Sequence, residues 1–304
     1  MAQPVVTVAA VQATPVVLDL EASVEKACSL IGEAAAQGAQ LAVLPECFLS
    51  IYPTRLWAGG MVSDPDSGDE VWRRFWDSSV EVPGPHVDRL VEACREHEIR
   101  VVIGVNEREP DRPAGTVYNA WLLLGPEGLL SKHRKLMPTF HERLFHGIGD
   151  GNDLAVTATP AGRIGGLICW EHRMPLARYA VYRGGPQIWA APTADTTDGW
   201  QALMRTIAIE AGAFVVAVAQ YVPRAAYPDD FPLPLPDREV LSEGNSCIVD
   251  PAGDIIAGPL ADAEGILLAE CDLERCAIEK QWFDVTGHYG REDVLVPLLT
   301  RHDG

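Results

Sequence analysis

A layered α/β (or α+β) domain with mixed sheets is the fold class this sequence predicts, and three observations predict it. Short apolar, β-branched runs alternate with segments of helical periodicity. Two pairs of such runs flank the turn signs Gly-Pro-Glu-Gly and Pro-Ala-Gly-Asp, which mark hairpins inside the alternation. No linker and no fixed-period repeat divides the 304 residues, so the chain is read as one domain over 1–304. Its 47% apolar and 22% charged residues suffice to bury a substantial core.

Residues 5–10 are β-branched and extended. Over residues 19–37, Leu20, Val24, Ala27, Cys28, Ile31 and Ala35 recur at helical spacing, and Gly38 supplies the stop. Residues 41–44 form a short apolar run cut by Pro45, which reads as a buried strand ending at Glu46. The polar stretch 63–69 reads as a loop. Gly84-Pro85 opens a helix with Val87, Leu90, Val91 and Cys94 on one face, and residues 100–105 form the next strand. Residues 119–124 and 129–135 read as a hairpin. Residues 163–169, 187–191 and 214–219 are further short strands, with a helix over 200–210 before the last. The Pro/Asp-rich stretch 227–236 reads as a surface loop. Residues 245–250 and 255–256 repeat the hairpin sign, and 265–270 add a strand.

Several function classes are excluded early. A net charge of -19 and a pI near 4.7 oppose nucleic-acid binding, which needs a clustered basic surface. No segment approaches the roughly 20 continuous apolar residues of a membrane span. The N-terminus has no basic region ahead of an apolar stretch, so it does not read as a signal peptide. Seven cysteines, none in a Cys-x-x-Cys pair, read as reduced thiols of a cytoplasmic protein. The eight histidines are scattered with no metal-ligand spacing, and neither a metal nor an organic cofactor is expected.

The candidate chemistry lies at the ends of apolar runs. Cys169 closes Gly-Gly-Leu-Ile-Cys and is followed by Trp170-Glu171-His172, the pattern of a nucleophile held on a turn at a sheet edge. A buried cysteine is ordinarily an inert apolar residue, the reading that suits Cys28, Cys94 and Cys247. Glu46 follows Leu-Pro and fits either a general base or a helix-capping carboxylate. Lys135 ends Lys-His-Arg-Lys and fits either a site cation or a solvated strand. His172 invites a Cys-His pair, but three positions along a turn usually point elsewhere. Gly147-Ile-Gly149-Asp-Gly151 lacks the strand and helix of a nucleotide loop, so a plain loop is expected.

Taken together these segments resemble the nitrilase (carbon-nitrogen hydrolase) superfamily, nitrilase branch. The resemblance runs from Val-Ala-Ala-Val-Gln-Ala-Thr-Pro near the start to Val-Thr-Gly-His288-Tyr-Gly-Arg291-Glu-Asp293 near the end. It implies a catalytic Glu46 in Leu-Pro-Glu-Cys-Phe, a catalytic Lys135 in His-Arg-Lys-Leu-Met-Pro-Thr and a nucleophilic Cys169 in Gly-Leu-Ile-Cys-Trp-Glu. It also implies a second glutamate at Glu142. The implied fold is a four-layer α-β-β-α sandwich. Two features resemble nitrilases rather than amidases: Glu-Arg-Leu leading to Gly-Asp-Gly, and Cys-Trp-Glu-His-x-x-Pro-Leu. The chain departs from the family where nitrilases commonly carry Trp-Gly-Gln-Gly-Asp. Here it has His146-Gly-Ile148-Gly-Asp150, expected to alter pocket polarity or a subunit contact.

The resemblance implies hydrolysis of an organic nitrile to the carboxylic acid and ammonia through a thioimidate on Cys169. Glu46 would act as base and Lys135 would stabilise charge on the nitrile nitrogen and lower the thiol pKa. Glu142 would position Lys135 or water. Trp170 and Tyr52, with Trp57 and Phe140, are candidates to line the substrate pocket, and equally for core packing. An amidase or carbamoylase of the same superfamily is the nearest rival, and a catalytically silent scaffold a further one. The resemblance also implies a homodimer or higher homo-oligomer paired through a helix starting near Pro175. The long tail of many nitrilases has no counterpart here, which weakens the expectation of an extended spiral.

Overall fold

The computed structural model describes residues 5–109 and 115–300. Two seven-stranded mixed sheets form its centre. The first is built from β1 (Val5–Gln12), β2 (Leu41–Val43), β3 (Val80–Glu81), β4 (Arg100–Arg108), β5 (Val117–Gly125) and β6 (Gly128–Arg134). The second holds β7 (Thr157–Thr159), β8 (Gly162–Gly166), β9 (Ile188–Thr193), β10 (Phe214–Ala219), β11 (Tyr221–Pro223), β12 (Val240–Val249) and β13 (Ile255–Ala261). β14 (Gly265–Asp272) returns to close the first sheet against β1, giving the order β14-β1-β2-β4-β5-β6 with β3 beside β4. The second runs β11-β12-β10-β9-β8-β7, with β13 beside β12.

The layers follow from the two-residue alternation of a strand buried on both faces. In β1, Val6, Val8 and Ala10 point between the sheets, where they meet Phe214, Val216 and Val218 of β10. Ala9 and Val11 point the other way, onto Val24, Ala27 and Ile31 of α1 (Leu20–Ala36) and Leu90 of a later helix. Across the molecule, Trp189 and Val215 meet Trp200, Met204 and Ile207 of another helix on the outer face of the second sheet. This is the four-layer α-β-β-α sandwich expected.

α1 is capped by Asp19, whose side chain accepts from the Ala22 amide, and it ends before Gly38 at φ +91°. The stretch expected as a loop at 63–69 is instead where α2 (Arg55–Ser63) ends and α3 (Pro65–Asp77) begins. Asp64 caps α3 and Pro65 occupies its first position. Only Gly68, Val71 and Phe75 of α3 are buried, so the stretch looked polar. α4 (Pro85–Glu96) starts at Gly84-Pro85 as its sequence indicates. α5 (Pro175–Tyr182) and α6 (Asp198–Ala211) cover the second sheet; α7 (Glu274–Trp282) and α8 (Glu292–Thr300) follow β14 and were not read from the sequence. The stretch 227–236 carries no helix or strand, as expected, yet Tyr227 and Leu233 pack onto Trp57 in a buried cluster.

Candidate active site

Four backbone devices aim the candidate groups. Glu46 stands on a turn just beyond β2, pressed onto β4 by the bond from the Gly104 amide to the Pro45 carbonyl at 3.1 Å. A Cβ on Gly104 would lie 2.4 Å from that oxygen and 2.6 Å from Glu46 Cα, so only glycine lets the turn sit this close. From the other sheet, Gln220 donates to the Glu46 carbonyl at 2.9 Å. Lys135 is the first residue past β6; its amide donates to the Asn119 carbonyl at 2.8 Å and its carbonyl accepts from Gly149 at 2.9 Å. Glu142 lies in a short 3-10 turn, Phe140–Leu144. Cys169 is not a strand end: β8 stops at Gly166, and Cys169 begins a second 3-10 turn, Cys169–Arg173, with φ +48°. A cysteine held in left-handed backbone is a strained position that its surroundings must enforce.

Glu171 does much of that enforcing. Its carboxylate accepts from the Ile168 amide at 2.7 Å and from the Leu136 amide at 2.6 Å, tying the cysteine turn to the lysine segment. His133 lies 3.1 Å from the same carboxylate and 2.7 Å from Asp153, which also accepts from the Arg134 amide. His172 does not pair with the thiol. Its Nε2 accepts from the Trp189 indole at 2.9 Å, so its Nδ1 carries the proton and donates to the Cys169 carbonyl at 2.7 Å.

Lys135, Glu46 and Glu142, all fully buried, form one cluster. Lys135 Nζ lies 2.8 Å from Glu46 Oε1 and 2.8 and 2.9 Å from the two oxygens of Glu142. Asn119 donates to Glu46 Oε1 at 2.7 Å, and the Tyr52 hydroxyl donates to Glu142 Oε1 at 2.6 Å. Glu46 Oε2 is buried without a hydrogen-bond partner among the described residues. Each of the other three carboxylate oxygens accepts at least one hydrogen bond, so this oxygen is the one left open to a further donor.

The electrostatics separate the two carboxylates. Burial raises the Glu46 pKa and the Glu142 charge adds to it, against the pull of Lys135. For Glu142 burial also acts upward, but Lys135 overcomes it and holds the carboxyl well below the usual range. Two titratable groups pushed apart in this way are suited to separate acid-base roles, with Glu142 favoured as a fixed anion and Glu46 the easier of the two to protonate. Lys135 remains an ammonium, since the two carboxylates outweigh burial. The Cys169 thiol is pushed well up, first by burial and then by Glu46, more than Lys135 pulls it down. Lys135 pulls the thiol pKa down as expected, but burial and Glu46 outweigh it. Such a shift favours the thiol, so a nucleophilic role for this sulfur would need a nearby proton acceptor.

Cys169 opens onto a cavity of about 480 Å³ whose wall includes Tyr52, Phe140 and Trp170. The Trp170 indole is fixed by a 2.8 Å bond to Asp195 and by the Arg173 guanidinium 4.0 Å from its ring. Tyr52 and Trp170 thus both line this cavity, and Tyr52 additionally holds Glu142. Trp57 does not; it is buried against Phe75 and Tyr227. A larger open groove of about 960 Å³, walled by the segment 221–240, contains none of the four candidate groups.

His146 is buried, 3.8 Å from Glu142 and bonded at 2.9 Å to Asn106, whereas Ile148 is exposed. The departure from the family pattern thus reaches the cluster through His146 alone. Sequence reasoning missed Asn119, Gln220, Gly104 and the Asp153–His133–Glu171 chain. A glycine inside the apolar run Val-Val-Ile-Gly-Val was the one signal available for Gly104. Among the described residues no group of three or more His, Cys, Asp or Glu could hold a metal ion.

The sequence pattern of carbon-nitrogen hydrolases matches residues 7–280, and the chain belongs to that family. Within it, the chain resembles nitrilases. It is 40% identical over 310 residues to the Nicotiana tabacum protein called bifunctional nitrilase/nitrile hydratase NIT4B, covering 98% of this chain and 87% of that one. It is 42% identical over 293 residues to the aliphatic nitrilase of Sinorhizobium fredii (strain HH103), covering 94% and 93%. Saccharomyces cerevisiae Nit3, a solved member of branch 10 of the nitrilase superfamily, superimposes with a TM-score of 0.71 over 94% of this chain and 97% of its own. At 24% identity that likeness concerns the fold alone.

Proposed function

We propose that this chain is a nitrilase that converts an organic nitrile and two waters to a carboxylic acid and ammonia. Glu46 Oε2 takes the Cys169 proton as sulfur attacks the nitrile carbon, forming the S–C bond. The charge that develops on the nitrogen is stabilised by the Lys135 ammonium. Glu46 returns the Cys169 proton to the nitrogen, which gives the neutral thioimidate and restores the carboxylate. Water, deprotonated by Glu46, adds to its carbon. The C–N bond of the tetrahedral intermediate then breaks, ammonia leaves with a proton from Glu46, and an acyl-thioester remains. A second water releases the acid and restores the thiol. Expulsion of sulfur from the tetrahedral intermediate would instead release the amide.

The observation that carries this reading is the unpartnered, buried Glu46 Oε2 in a lysine-bound carboxylate pair, with Cys169 opening onto a cavity. The choice of nitriles over amides is supported by the names of relatives 40–42% identical over nearly the whole chain. The test is ammonia release from phenylacetonitrile, benzonitrile, an aliphatic dinitrile, 3-cyanoalanine and cyanide, with the matching amides alongside and Cys169→Ala as control. Nitrile turnover abolished by the substitution is the expected result. Turnover of amides alone would reassign the chain to an amidase.

A homo-oligomer is part of the same proposal. It is supported by apolar side chains left exposed around α5 and α8, among them Leu176, Val294, Leu295 and Leu298. Light scattering at micromolar concentration checks it. A cytoplasmic location is supported by seven unbridged cysteines, and no helix among the described residues is long and apolar enough to cross a membrane.

A further inference from the structure

We propose that the cavity beside Cys169 selects nitriles bearing a carboxylate several bonds from the nitrile carbon, with Arg55 as the residue that recognises it; this rests on the nitrilase reading above. Besides Tyr52 and Cys169, the cavity wall carries three titratable side chains, Arg55, His141 and Asp195. Asp195 is fully engaged: Arg173 at 2.9 Å, the Trp170 indole at 2.8 Å and the Thr197 hydroxyl at 2.7 Å. Burial favours neutral His141, and the nearby Arg55 charge works in the same direction. Arg55 makes no ion pair or side-chain hydrogen bond among the described residues. In a chain with 43 acidic and 24 basic residues, a carboxylate partner would be easy to supply, and this arginine has none.

Its place in the fold says where an anion would lie. Arg55, with Tyr52, Ala194 and Thr196, belongs to the wall of the Cys169 cavity and to that of an adjoining cavity of about 210 Å³. Thr54 lines the second cavity, and its hydroxyl oxygen is buried with no partner. Arg55 is also the first residue of α2, which has no acidic side chain in its first turn, so the positive end of the helix adds to the guanidinium. The inner end has the opposite character. Two carboxylates against one ammonium make the floor beside Cys169 negative overall whenever Glu46 is ionised. An anionic group is repelled there and attracted at Arg55. Phe140, Trp170 and Ala194 line the same cavity and suit a short methylene chain.

The test compares kcat/KM for 4-cyanobutanoate with that for two neutral analogues of similar length, methyl 4-cyanobutanoate and glutaronitrile. Wild type, Arg55→Gln and Arg55→Lys are measured at low and high salt. The expected result is a preference for the anion that falls about tenfold in Arg55→Gln, the scale of one lost hydrogen bond to a charged group at a partly wet site, and that Arg55→Lys largely restores. Rising salt should shrink the wild-type preference. A ratio unchanged in Arg55→Gln, equal losses on all three substrates, or a wild-type preference for the neutral nitriles would each overturn the assignment. Failure on all three while another nitrile of the panel above is turned over would overturn this assignment alone. Failure on every nitrile, with Cys169 still open to alkylation, would overturn the nitrilase reading and this proposal with it.

Discussion

Gly104→Ala is a one-methyl change that should reach the chemistry without touching a candidate catalytic side chain. The added Cβ would sit 2.4 Å from the Pro45 carbonyl and 2.6 Å from both the Cys47 amide nitrogen and Glu46 Cα. All three are backbone atoms, so no side chain can swing aside. Since real Cβ atoms essentially never approach closer than 3.0 Å, the Glu46 turn must withdraw by at least 0.6 Å from β4. Overpacking of this kind costs about 1–3 kcal/mol of stability. A shift of about 1 Å at a reacting group costs about 100-fold in rate, so a loss of about 10- to 100-fold in kcat is expected here. Ammonia release, the thermal midpoint and iodoacetamide labelling of Cys169 would be measured together, with labelling expected to persist. A variant with wild-type kcat and an unchanged midpoint would refute the reasoning, because it would mean the turn is not fixed by this contact.

Three further outcomes follow from the cluster and its supports. His133 has its pKa raised to about 9 because bonds to Asp153 and Glu171 outweigh burial. Against an unfolded value of 6.5, its contribution of up to about 3 kcal/mol is fully present below pH 6.5 and lost as pH rises through about 9. Urea midpoints at pH 6 and 9.5 should therefore differ more in wild type than in His133→Gln, and equal differences would count against the assignment. Tyr52→Phe removes the 2.6 Å donor to Glu142; kcat should fall about tenfold with the fold retained, and an unaltered kcat would show that the bond does not hold Glu142 in place. Lys135→Met strands two buried carboxylates and should cost about 3–5 kcal/mol at pH 7. Because those carboxyls would then have raised folded pKa values, the deficit should shrink as pH falls, and a pH-independent deficit would contradict that origin.

The helix over Leu20–Ala36 was legible because its apolar residues recur on one face between Asp19 and Gly38. α3 was not, because three buried residues in thirteen, one of them a glycine, leave a segment that looks like a polar loop. Its Asp64-Pro65 start was the overlooked signal. The candidate groups Glu46, Lys135, Glu142 and Cys169 were named through their motifs, and position alone left each with an ordinary alternative. The effect of Lys135 on Cys169 was legible in direction, but the net upward shift was not, because burial and the neighbouring carboxylates are properties of the folded surroundings.

Local order in the sequence therefore determined where strands and helices alternate, where turns fall and which residue types stand at the run ends. Only the tertiary structure decided that Lys135 Nζ meets Glu46, 89 residues away, at 2.8 Å, and that one oxygen of Glu46 is left free. Spacing along a chain carries the period of a helix or strand, which short-range sterics set. Which carboxylate is desolvated, and which pairs with the one ammonium, depends on segments far apart in sequence being packed against each other.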